Sequence, residues 1–138
     1  MKKLKKAIPI LVLFIALGFW LTGCAGKGAP EKTNCDASIK WDIADEARLT
    51  QFDCAVGTTE GQPSLIFTVG IENTTDRPLR YRLNIFLEDM NKAFGHYVPL
   101  KGKPPAVAPG KSETVKIPFI GIDKPSKRIL VVVKTMSS

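Results

Sequence analysis

His96 is the single histidine of the 138-residue chain, so any Ser-His-Asp or Cys-His relay would have to run through it. It sits in Phe94-Gly95-His96-Tyr97, which reads as a hairpin arm, where a surface or turn histidine is the commoner explanation. No residue is assigned to catalysis. One histidine, three cysteines without a Cys-x-x-Cys pair and no methionine cluster leave neither a zinc nor a copper spacing. Asp89 to Gly95 imitates the start of a calcium loop, but Ala93 stands where the third oxygen ligand belongs. Gly95 falls one place late, and the twelfth position lacks its glutamate. Glu88 and Asp89 are adjacent, so on a strand they point to opposite faces and cannot act as a carboxylate pair. No metal and no diffusible cofactor is expected.

Binding chemistry is better represented. Arg80, Arg82 and Phe86 recur at a spacing of two or four, which places them on one strand face, with Phe94 and Tyr97 on the following arm. Aromatic side chains beside arginines are the composition of protein-binding hot spots. Arg77 and Lys116 would extend the same basic surface toward anionic headgroups. Trp41, Phe94 and Tyr97 are the stacking groups that a glycan or small-ligand site would need. Lys101 to Gly110 is a proline-rich loop, suited either to a crossover or to a contact element.

The elements that position these residues have a period of two. Leu65, Phe67, Val69 and Ile71 alternate with Ile66, Thr68, Gly70 and Glu72. Asn73-Thr74-Thr75-Asp76-Arg77-Pro78 then reads as a turn. Leu79, Tyr81, Leu83, Ile85 and Leu87 follow, one buried face against one mostly wet face. Val115, Ile117 and Phe119 form another strand, with Pro118 marking an edge or bulge. Ile129 to Val133 is a continuous apolar run suited to a central strand. Weaker strands fall at Ile39–Ile43, Arg48–Val56 and Phe94–Leu100, and a single helical turn at Asp45–Leu49. About seven strands with polar turns predict an all-β fold, an antiparallel immunoglobulin-like β-sandwich.

Ahead of the domain, Lys2, Lys3, Lys5 and Lys6 precede an apolar run from Ala7 to Trp20, which ends in Leu21-Thr22-Gly23-Cys24. This resembles the lipobox of bacterial lipoprotein signal peptides. The resemblance implies cleavage before Cys24, lipidation of that cysteine and a membrane anchor, with the covalent lipid as the only added group. Residues 1–23 are then the signal peptide, 24–34 a lipidated flexible tether and 35–138 the domain. Ala25 after the cysteine implies the outer membrane, with the domain facing the periplasm of a bacterial cell envelope. Four of the 20 basic residues leave with the signal, so 16 remain against 13 acidic ones, a net charge of +3 rather than +7. Without a nucleic-acid-binding motif, that charge does not support nucleic-acid binding. Lipidation of Cys24 also leaves Cys35 and Cys54 as an even pair in an oxidising compartment. They form either a disulfide or one buried and one exposed thiol. Ala25 to Asn34 has no apolar pattern; as a free coil it would span ~17 Å, or ~35 Å fully extended.

Asn73 to Leu79, continuing through Tyr81-Arg82, resembles the turn and strand of YcfL-type small lipoproteins. Val107-Ala108-Pro109-Gly110-Lys111-Ser112-Glu113-Thr114-Val115 resembles the Pro-Gly-led penultimate strand of bacterial Ig-like domains, and is similar to the β-sandwich lipoprotein that anchors type VI secretion machines. These resemblances imply a non-enzymatic lipoprotein that binds an envelope protein. The alternatives are a ligand- or glycan-binding lipoprotein and the anchor of a secretion apparatus.

Overall fold

A computed structural model of the chain describes residues 26–136; Cys24 and the signal segment lie outside the described residues. Seven strands succeed one another, β1 (Ser38–Ile43), β2 (Ala47–Thr59), β3 (Gln62–Asn73), β4 (Tyr81–Leu87), β5 (Lys92–Val98), β6 (Ser112–Ile120) and β7 (Arg128–Thr135). They form a sheet of order β1-β7-β4-β5 and a sheet of order β2-β3-β6, packed face to face as a β-sandwich. Every strand expected from alternation is present. The expected helical turn at Asp45–Leu49 is not: Asp45 and Glu46 make a turn and Ala47 already opens β2. There Ala47 and Leu49 pair with Asn73 and Ile71, which buries both apolar side chains and satisfies the backbone in the ladder.

One pair departs from an all-antiparallel sandwich, since β1 runs parallel to β7. The cause is the segment before it. Residues 28–37 descend the flank of the sandwich from one end, the near end, where the Gly28 carbonyl accepts from Leu49 N–H at 2.8 Å. They reach the far end at Ser38, beside Arg128, so β1 has to climb back in the direction of β7. The segment read as a free tether is thus held along its length. Thr33 Oγ1 donates to the Phe52 carbonyl at 2.6 Å, and Cys54 N–H donates to Asn34 Oδ1 at 2.7 Å. Gly28 (φ +80°) lies so close to Ile43 that a Cβ there would come within 2.7 Å of its Cγ2. Cys35 and Cys54 are disulfide-bonded, with Cα atoms 5.2 Å apart.

The core is the inner face of both sheets. Leu65, Phe67, Val69 and Ile71 of β3 oppose Tyr81, Leu83, Ile85 and Leu87 of β4, and all eight are buried; each contributes about 1.5–3 kcal/mol on removal from water. Phe67 bridges to Phe52 at 5.4 Å and to Phe119 at 5.6 Å between ring centroids, and Trp41 meets Phe52 edge-on at 5.1 Å. The β2–β3 hairpin turns on Glu60 and Gly61 (φ +51° and +77°), the two left-handed residues that a tight hairpin requires.

Two polar groups organise the near end. Asn73 is fully buried. Its Nδ2 donates to the carbonyls of Arg77 (2.7 Å) and Val107 (2.9 Å), while Oδ1 accepts from Thr75 N–H (2.9 Å) and Thr75 Oγ1 (2.7 Å). The Tyr81 hydroxyl donates to the Glu46 carbonyl at 2.7 Å. Burial, reinforced by the Glu46 charge, pushes the Tyr81 phenol from 10.0 up to about 12.

Asn73→Ala would leave several of these buried groups unpaired, and is expected to cost roughly 2–4 kcal/mol by denaturant unfolding. The folded state holds the Tyr81 proton more tightly than the unfolded chain does. Its contribution is complete below about pH 10 and is lost as pH rises through 10 toward 12. That part of the alkaline decline should vanish in Tyr81→Phe when stability is measured against pH. The Cys35–Cys54 loop encloses about 20 residues, so Cys54→Ser is expected to cost ~3 kcal/mol. Hydrogen exchange should show residues 29–36 loosening before any strand.

Candidate interaction surface

β4 and β7, the two central strands of the four-stranded sheet, set the outer face. Register pairs Phe86 with Leu130 and Ala93, Asn84 with Val132 and Gly95, and Arg82 with Lys134 and Tyr97. Directly paired residues share a face, so Phe86, Leu130, Val132 and Ala93 form one apolar strip that no third layer covers among the described residues. Leu130 and Val132 are half-buried; Phe86 and Ala93 are exposed. Beside the strip, between Leu87, Asn91, Lys92 and Arg128, lies a shallow depression of about 440 Å³.

Arg82, Phe86 and Tyr97 share this face, Arg82 paired directly with Tyr97 and Phe86 four residues further along β4. Arg80 points the same way but is already engaged. Its Nε and guanidinium NH₂ donate to the carbonyls of Pro99 (3.1 Å) and Leu100 (3.2 Å), and its guanidinium lies 4.8 Å from the Tyr97 ring centre. It therefore clamps the start of the 99–111 loop and holds the Tyr97 ring in place. Phe94 belongs elsewhere. It pairs with Ile85 on the inner face, where β5 overhangs the smaller sheet, and meets Phe119 at 6.1 Å with 38% of its surface still open. Lys116 lies on β6, in the other sheet, and does not join the arginines.

The glycan-stacking set is dispersed. Trp41 is on β1 and Tyr97 on β5, at opposite edges of one sheet, on strands about 14 Å apart at ordinary spacing. Phe94 and Tyr97 occupy opposite faces of β5. His96 shares the inner face with Phe94, stacked at 6.4 Å, and its Nδ1–H donates to the Tyr97 carbonyl at 2.6 Å. Asp89 is a turn residue: its carboxylate accepts from Ser126 Oγ and from Lys127 N–H at 2.8 Å, ties that hold it below the usual carboxylate range. Among the described residues no group of three His, Cys, Asp or Glu converges on a common point. A cleft of about 700 Å³ lies at the near end between Arg77, Leu79, Pro105 and Met136.

Leu130 and Val132 escaped the sequence reading. A continuous apolar run announces a strand buried on both faces, and nothing local says that one of those faces lacks a covering layer. The electrostatics around the strip are one-sided. Lys134 is paired with Asp42 at 2.8 Å, and Lys40 approaches Glu88 at 3.7 Å. Arg82, Lys92 and Arg128 have no ion-pair partner among the described residues. The surface can therefore seat an apolar segment and compensate acidic groups at its margin. No family model, no curated protein and no solved structure matches this chain.

Proposed function

We propose that this chain is a lipid-anchored bacterial envelope protein whose sandwich is a non-enzymatic interaction module. Its partner is an envelope protein with an apolar centre and an acidic rim. One observation carries the reading: β7 is apolar on both faces in a sandwich that covers only one of them. Solvated strands of two-layer sandwiches normally alternate apolar with polar residues, and an uncovered apolar strip marks a contact site. Here the alternation fails at Leu130 and Val132, and Phe86 extends the strip onto β4.

The edge of the same sheet adds a second attachment. β5 is terminal, with neither a proline nor an internal charge to discourage pairing. β6, the edge of the other sheet, carries both Pro118 and Lys116. Strand addition, if the partner uses it, therefore belongs at β5 rather than at the Pro118 edge. The lipobox ending in Cys24 and the resemblance to YcfL-type lipoproteins support the envelope assignment and an outer-membrane site facing the periplasm. The near-end cleft supports a second reading, small-ligand binding, which predicts thermal stabilisation by cell-wall fragments.

Crosslinking in native membranes followed by affinity recovery tests the first reading. Phe86→Ala and Val132→Lys should each reduce recovery of a stoichiometric partner about 30-fold, as for a hot-spot residue of ~2 kcal/mol, with the melting temperature nearly unchanged. Undiminished recovery with both variants would remove this face from the interface.

A further inference from the structure

β5 ends the four-stranded sheet, and the direction of its backbone groups follows from its neighbours. The Arg80 carbonyl accepts from Met136 N–H at 2.8 Å, and Glu88 N–H donates to the Arg128 carbonyl at 3.0 Å, both on the β7 side. Paired residues alternate between bonded and non-bonded along an antiparallel ladder. Tyr81, Leu83, Ile85 and Leu87 of β4 therefore turn their backbone groups toward β5, where Val98, His96, Phe94 and Lys92 receive them. That leaves Ala93, Gly95 and Tyr97 with N–H and C=O directed outward. Among the described residues these groups have no backbone partner. The Tyr97 carbonyl accepts from His96 Nδ1–H and keeps a second lone pair.

The three outward residues are spaced evenly about Gly95, which makes this edge its own complement. A second copy laid antiparallel across a two-fold axis at Gly95 sets glycine opposite glycine. It also sets Ala93 of each copy opposite Tyr97 of the other. Each such pair exchanges two bonds, so every outward group is satisfied. Moving the axis by one residue calls instead on Asn91, which has left the strand (φ +53°), or on Pro99, which has no N–H.

Side chains agree with that register. On the outer face the small Ala93 meets the copy's Tyr97 at the mouth of the depression that Phe86, Ala93 and Leu130 line. Gly95 puts no side chain at the axis, where a Cβ would come within 2.6 Å of Asn84 Oδ1. On the inner face Phe94 stands opposite the copy's His96, and each covers part of the other's overhang beyond the smaller sheet. Lys92 faces Val98, so no charge opposes a charge. The other edges lack this fit, because β1 carries Lys40 and Asp42 and β6 carries Lys116 and Pro118.

From this match we infer that a second copy of this chain pairs along β5, joining the two four-stranded sheets into one. The inference goes beyond the envelope-partner reading and does not need it. The β5 edge is taken by the copy, while Leu130 and Val132 stay open on the joined face. One pair of edge strands is a small contact, below ~1,200 Å², so association is reversible with a Kd on the order of 10 μM.

Sedimentation of the full chain in non-ionic detergent, from about 1 μM to about 1 mM, tests this. A reversible dimer is expected. Ala93→Pro removes an outward N–H from each copy without touching the β4 ladder, and should weaken the dimer about 30-fold. Val132→Lys, on β7, should leave the dimer unchanged. Register is read by oxidising mixed chains: Ala93→Cys with Tyr97→Cys should bridge, their Cα atoms ~5.5 Å apart. Either variant alone should not, since its like positions lie ~14 Å apart; the unsubstituted chain reports any bridge through Cys24. A monomer at the highest concentration overturns the inference, as does a dimer undiminished by Ala93→Pro. If Ala93→Pro fails to fold, the crosslink decides, and bridging no stronger in the mixture than in the single variants overturns the inference. A dimer in this register, with partner recovery undiminished by Val132→Lys, upholds the inference and counts against the partner reading alone.

Discussion

A sandwich of four strands on three cannot close both of its flanks with strands, and the way this chain closes one of them governs the rest of the structure. Residues 28–37 lie along the β2 side, tied by backbone and side-chain hydrogen bonds at Leu49, Phe52 and Cys54 and by the Cys35–Cys54 disulfide. Because that segment travels from the near end to the far end, β1 has to return parallel to β7. Among the described residues the opposite flank has no such closure. There β5 and β6 keep free edges, and Phe94 touches Phe119 across the gap.

The outer face follows from the same arithmetic of layers. β7 lies at the centre of its sheet, where continuous apolar sequence is normal if helices or a second sheet cover both sides. Only one side is covered here. Phe86, Leu130 and Val132 are left as a strip beside Arg82, Lys92 and Arg128, which have no ion-pair partner among the described residues. The polar turns at the two ends show the contrary strategy. Asn73 and Asp89, the latter at the head of the calcium-loop-like stretch, each spend their hydrogen-bonding capacity on neighbouring loops. Their chemistry is structural because their partners are fixed backbone groups.

Strand positions were legible because each inner face repeats every second residue, as in Leu65-Phe67-Val69-Ile71 and Tyr81-Leu83-Ile85-Leu87. The Asn73 turn was legible from its composition. Asp45–Leu49 was misleading, since a short stretch holding Asp, Glu, Ala and Leu satisfies helical preferences. Pairing of Ala47 and Leu49 with β3 outweighs that preference. Phe94 misled for a related reason: it is exposed, as expected, but on the inner face, because the facing sheet is one strand too narrow to cover β5. Exposure alone does not reveal a side chain's face; register does.

Local sequence by itself determined the all-β class, the approximate strand limits, the near-end turn and the candidate lipidation at Cys24. Each of these depends on residues close together in the chain, through alternation, turn chemistry or a contiguous motif. Tertiary structure alone decided the parallel pairing of β1 with β7, the docking of residues 26–34, the clamp of Arg80 on the 99–111 loop and the separation of Phe94 from Tyr97. It also decided that Leu130 and Val132 lack cover. All of these depend on which strands become neighbours and which sheet is wider. That choice is made by long-range packing of the whole apolar core, and no short window of sequence contains it.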